Sequence, residues 1–87
     1  MTQSTQSSQL NVKVRSPFTI YYEGPALSVS AQNPVGPFDI LPGHANFFSI
    51  LSPCEIKVDS GTEPKSFVIA NGIITAQDNE VLLFVNV

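Results

Sequence analysis

Apolar and polar residues alternate along nearly every segment of this chain, and that two-residue period constrains its fold more than any other feature. Successive side chains of a strand point to opposite faces, so alternation specifies one buried face and one solvated face. No stretch carries the 3.6-residue period of an amphipathic helix. Leu10, Val12 and Val14 alternate with Asn11, Lys13 and Arg15. Beyond a break at Ser16-Pro17, the residues Phe18, Ile20 and Tyr22 resume the pattern, and Glu23-Gly24-Pro25 reads as a turn. Leu27, Val29 and Ala31 then point one way, with Ser28 and Ser30 the other. Phe47-Phe48-Ser49-Ile50-Leu51 and Phe67-Val68-Ile69-Ala70 are apolar on both faces, which predicts burial between two layers. Ile56 and Val58 face inward between Glu55, Lys57 and Asp59, and residues 60–64 read as a hairpin loop. Asn71-Gly72 marks a turn or bulge before a short strand at 73–76, Asp78-Asn79 a tight turn, and 81–87 a closing strand. About eight to ten short strands with frequent turn signals predict an all-β domain, two packed antiparallel sheets or a small barrel. Val12, Val14, Val29, Ile56, Val58, Phe67, Ile69 and Leu83 are its expected core.

A chain of 87 residues suffices for one domain and one core. Residues 1–9 are polar spacers with nothing to bury and are expected to be a disordered tail, leaving residues 10–87 as the folded body. The net charge of -3 argues against nucleic-acid binding, because Lys13, Arg15, Lys57 and Lys65 are scattered and cannot track phosphates. The single cysteine, Cys54, excludes an internal disulfide and a cysteine-based zinc site, and suits a reducing compartment. The N-terminus lacks the basic start and apolar stretch of a signal peptide. No window approaches the roughly 20 apolar residues of a membrane helix, so membrane contact is expected only through a partner.

The segment Gly36-Pro37-Phe38-Asp39-Ile40-Leu41-Pro42-Gly43-His44-Ala45 stands apart from this pattern. Pro fixes φ and Gly permits positive φ, so the segment reads as a short strand entering a rigid turn at Pro42-Gly43-His44. Loop residues held this way serve docking or packing. A lone histidine needs an activated nucleophile to act as a base, and no Gly-x-Ser-x-Gly or Cys-His pattern accompanies His44. Its expected role is therefore packing and backbone hydrogen bonding at the turn, or contact with a partner. The acids Glu23, Asp39, Glu55, Asp59, Glu63, Asp78 and Glu80 fall on turns and outward positions without metal-ligand spacing. Asp39, beside the turn, is the exception, placed to cap it or to face a partner. Gly36 and Gly43 lack the lysine and helix of a phosphate-binding loop. Cys54, between Pro53 and Glu55 at a strand start, reads as a buried inert thiol. No catalytic, metal or cofactor-binding residue is expected. The apolar Val35, Pro37, Phe38, Phe47 and Phe48 sit beside turns, where any left exposed would mark a protein–protein surface.

Ile40-Leu41-Pro42-Gly43-His44-Ala45 resembles the signature loop of the ε subunit of F-type ATP synthases, called δ in mitochondria. The resemblance extends over the folded body: Ser16-Pro17 with Tyr22 and Gly24, then Gly36 and Phe38, Leu51-x-Pro53 with Ile56-x-Val58, and Gly72-Ile73, Asn79 and Val81-x-Leu83. It implies a flattened β-sandwich of about ten strands, a non-catalytic rotor domain at the foot of the central stalk. Its partners would be the γ subunit and the membrane c-ring, on the cytoplasmic face of the inner (plasma) membrane. By position, the loop Asn33, Pro34, Val35, Gly36 and Pro37 would face the c-ring, while His44, Asn46 and Ser49 would lie toward γ. The resemblance also implies a C-terminal helical hairpin that inhibits ATP hydrolysis and in some members binds ATP; these 87 residues are not expected to include it, so neither property is carried over. The family also has Pro where Asn46 stands, Gly where Cys54 stands and Glu where Thr75 stands. A stand-alone β-sandwich binding module derived from this family is the alternative reading. A small-molecule enzyme or sugar-binding barrel lacks convergent polar groups.

Overall fold

The computed structural model describes residues 9–87. Apart from Gln9, the tail expected at residues 1–9 lies outside the described residues. Among the described residues nine strands follow one another: β1 (Leu10–Arg15), β2 (Ile20–Ala26), β3 (Ser28–Asn33), β4 (Gly36–Ile40), β5 (Phe47–Leu51), β6 (Cys54–Asp59), β7 (Lys65–Ile69), β8 (Asn71–Gln77) and β9 (Glu80–Asn86). They form a five-stranded sheet in the order β2-β1-β9-β8-β5 and a four-stranded sheet in the order β4-β3-β6-β7.

The inward positions of the two sheets meet in one core. Leu10, Val12 and Val14 of β1 pack with Ile74, Val81, Leu83 and Leu51 of the larger sheet against Val29, Ile40, Ile56, Val58 and Ile69 of the smaller. Each such side chain contributes roughly 1.5–3 kcal/mol through burial. Seven of the eight expected core residues are fully buried, and Phe67 is partly buried against the same cluster. Aromatic pairs bridge the two sheets at their edges. Phe38 of β4 meets Phe47 of β5 at 5.1 Å between ring centroids, and Tyr21 of β2 meets Phe67 of β7 at 6.2 Å.

Several details depart from the sequence reading. Glu23-Gly24-Pro25 is no turn; it lies within β2 and pairs with Lys13, Val12 and Asn11. Pro25 is tolerated there because β2 is an edge strand, where one side of the ladder needs no donor. Pro37 likewise belongs to edge strand β4, opposite Gln32. Asn71-Gly72 is also inside a strand, where a Cβ on Gly72 would come within 2.7 Å of the Phe84 carbonyl oxygen. The glycine marks a close approach of backbones. Strands β5 and β7 are not buried on both faces: Phe48, Ile50 and Val68 are exposed, because a two-layer sandwich covers only the inner face of each sheet. Leu27, expected inward, is exposed in the link between β2 and β3, as is Phe18 before β2. One pair is parallel, β1 against β9. The first and last strands meet in the middle of the larger sheet, and alternation says nothing of which strands become neighbours.

Candidate functional site

The segment 41–45 forms the turn its residues specify. Pro42 and Gly43 occupy the central positions, Gly43 adopts φ 84°, and the His44 N–H donates to the Leu41 carbonyl at 3.0 Å. Pro followed by a positive-φ Gly under one such bond defines a type II turn. The His44 Nδ1 lies 2.7 Å from the Ala45 carbonyl oxygen. Its ring meets Phe47 edge-on at 5.6 Å, continuing the Phe38–Phe47 pair. His44, Ala45 and Asn46 are all exposed, and the Leu41 side chain stands out beside them. Asp39 neither caps the turn nor stands free, since its Oδ1 accepts a 2.6 Å bond from Ser30 Oγ, its register partner across β3 and β4.

Residues 33–37 are tighter than a free loop. Asn33 and Gly36 pair across a two-residue connection, Pro34-Val35, which joins β3 to β4. Asn33 Oδ1 accepts from the Val35 and Gly36 amides at 2.9 and 3.1 Å, so the side chain replaces a backbone turn acceptor. Val35 projects at the tip with 96% of its surface exposed. Asn33 Nδ2 also donates to Ser49 Oγ at 3.1 Å. Ser49, on an inward position of β5, is therefore joined to the tip loop rather than set apart from it. Of the sequence-derived candidates, the structure brings Asn33 and Ser49 together directly. His44 and Asn46 stand on the far side of Phe47 from Ser49 in the chain.

A larger feature escaped the sequence reading. Across the outer face of the five-stranded sheet, Ile50 pairs with Ile73 and Ile73 with Phe84, and the Arg15 guanidinium lies 5.6 Å from the Phe84 ring centre. The adjacent row runs from Phe48 through Thr75 and Leu82 to Lys13. Phe48 and Ile50 are 65% and 62% exposed. An open apolar groove of about 570 Å³ runs beside them, lined by Pro17, Ile50, Ile73 and Phe84. At the other end of the face the surface turns polar, where Lys13 pairs with Glu23 at 3.4 Å and Asn11 lies 3.5 Å from Glu80. The signal was present as apolar residues at every outward position of β5. As a strand they pointed to burial between two layers of this chain, with Phe48 also expected to mark a protein–protein surface if left exposed.

No group of three or more His, Cys, Asp or Glu able to hold a metal occurs among the described residues. Cys54 is a free thiol, partly buried against the core at the start of β6. Among the described residues no helix is long and apolar enough to cross a membrane.

The chain is a two-sheet β-sandwich with tight turns and an apolar outer face. The chain belongs to the family described as the ATP synthase delta/epsilon chain, beta-sandwich domain, which matches residues 9–87. It is 31% identical over 77 residues to the ATP synthase epsilon chain of Vesicomyosocius okutanii, covering 88% of this chain and 56% of that one. Against the ATP synthase epsilon chain of Leptospira borgpetersenii it is 34% identical over 73 residues, covering 84% of this chain and 58% of the relative. The chain thus spans a little over half the length of these relatives. Its fold is similar to that of a chain in the mitochondrial ATP synthase of Euglena gracilis, with a TM-score of 0.84, 18% identity, and coverage of 94% of this chain and 53% of that one. A chain of the central stalk and c-ring structure from Tetrahymena thermophila gives a TM-score of 0.81, 19% identity, and coverage of 95% and 67% respectively.

Proposed function

We propose that this chain is a non-catalytic part of the central stalk of a proton-translocating F-type ATP synthase, linking the c-ring to the γ subunit during ATP synthesis. Family membership over residues 9–87 supports the assembly. The observation that carries a docking role is the apolar outer face of the five-stranded sheet, since a contiguous exposed apolar patch on a small domain marks an interaction surface. That face is continuous at β5 with the segment carrying His44 and Asn46, and the γ subunit is the proposed cover of both; Ser49, on the inward side of β5 and bonded to Asn33, would meet γ only at the strand's edge. The tip Asn33, Pro34, Val35, Gly36 and Pro37 is the proposed c-ring contact, and it is the chain's only route to the membrane in this reading. The domain is a peripheral member of the complex on the cytoplasmic face, and needs no cofactor for a purely mechanical link.

Turns rich in Pro and Gly lose little conformational freedom on binding, which suits them to both contacts. Substituting His44→Ala is expected to weaken γ binding by about 1–3 kcal/mol, the scale of a buried polar contact left unpaired. Val35→Glu is expected to disturb c-ring attachment while γ binding holds. Pull-down with γ and reconstitution with the membrane sector read the two effects separately. If both variants assemble normally with the fold intact, these turns are structural and the docking assignment is wrong. Failure of the unmodified chain to bind either partner would leave the stand-alone binding module.

A further inference from the structure

We infer that Asn79 is a positioning residue for the 41–44 turn, a clasp that reaches from the β8–β9 hairpin and fixes how His44 is presented. This rests on the reading of that turn as part of the γ-facing surface. Asp78 and Asn79 connect β8 to β9 with φ of 53° and 63°, and Gln77 pairs with Glu80 across them. Two successive positive φ values in a two-residue loop define a type I′ turn, which admits Asn and Asp far more readily than other side-chain-bearing residues.

The Asn79 side chain then makes a contact that the hairpin does not need. Its Oδ1 accepts the Gly43 N–H at 2.8 Å, across 36 positions of chain, while its backbone carbonyl accepts the Asn11 N–H at 2.8 Å. The type II turn uses the Leu41 carbonyl and the His44 N–H for its own bond. Gly43 N–H is left over, and Asn79 takes it. The turn links β4 of one sheet to β5 of the other, and residues 44–46 belong to no strand. Asn79 thereby pins the middle of this bridge to the hairpin of the five-stranded sheet and to the start of β1. One residue has to tolerate positive φ and also supply an acceptor. Gly meets only the first demand, whereas Asp meets both.

That difference makes the test. Asn79→Gly and Asn79→Asp are made in the whole chain, and amide hydrogen exchange is followed by NMR alongside γ binding. In Asn79→Gly the Gly43 amide is expected to exchange about tenfold faster, the range of one lost hydrogen bond, with β6 amides unchanged. Affinity for γ is expected to fall by a similar factor. Asn79→Asp is expected to restore both close to the unmodified values. An unchanged Gly43 amide in Asn79→Gly overturns the clasp. Equal acceleration throughout β6 marks a general loosening and overturns it as well. Faster Gly43 exchange with unaltered γ binding, where His44→Ala does weaken binding, overturns the positioning role and leaves the docking surface standing. If His44→Ala also binds γ normally, the docking reading has failed and this role falls with it.

Discussion

The outer faces of the two sheets differ far more than their inner faces do. On the five-stranded sheet, Phe48, Ile50, Ile73, Leu82 and Phe84 stand exposed in adjacent registers. On the four-stranded sheet the corresponding surface carries Gln32, Asp39, Glu55, Lys57 and Ser66, with Val68 as its exposed large apolar side chain. Both sheets bury the same kind of aliphatic residue inward. The asymmetry is therefore not needed for folding, because the polar face sits on an equally well-packed core. It separates a polar surface from an apolar one of the kind that marks an interaction surface on a small domain.

The contrast is sharpest within a single strand. Leu82 and Leu83 are neighbours on β9, one on the outer face and the other fully buried. Leu83→Ala is expected to cost about 2–5 kcal/mol in chemical denaturation, through lost burial and the cavity left behind. Leu82→Ala is expected to cost less than about 1 kcal/mol. Equal losses at both positions would mean that the outer face is closed over by this chain. A charge placed at an exposed apolar position of each face, Ile73 on β8 and Val68 on edge strand β7, separates them next. Ile73→Asp is expected to weaken γ binding by about 2 kcal/mol or more, as for a central interface residue, while Val68→Asp changes it little. Circular dichroism must show an intact fold in both. The smallest effect belongs to the polar end of the apolar face, where Lys13 and Glu23 form an ion pair with side chains 39% and 56% exposed. Glu23→Gln is expected to shift stability by less than about 1 kcal/mol, and by less still at high salt.

Much of this architecture was legible because specific residues have few conformational options. Pro42-Gly43 admits a type II turn, and Asp78-Asn79 tolerates paired positive φ; both turns form where expected. Clean alternation in β1 and β6 fixed their inward residues. Edge strands were harder to read, since Pro25 and Pro37 argue for turns unless one knows that half their ladder is free. Doubly apolar strands misled for a related reason. Phe48 and Val68 are hydrophobic whether a second layer of this chain or another molecule is to cover them. The candidate turns were visible in the sequence, but their couplings were not. Asn33 reaches Ser49 over 16 positions and Asn79 reaches Gly43 over 36, and local pattern carries no record of such contacts.

The central claim is that one outer face is a docking surface and the other is not, and side-chain footprinting tests it most directly. Hydroxyl-radical labelling of the chain, alone and bound to γ, is read at Phe48, Ile73 and Phe84 on one face and at Val68 on the other. The expected result is strong protection of the first three in the complex, with Val68 labelled as in the free chain. Protection of Val68 with Phe48, Ile73 and Phe84 still fully labelled would contradict the account.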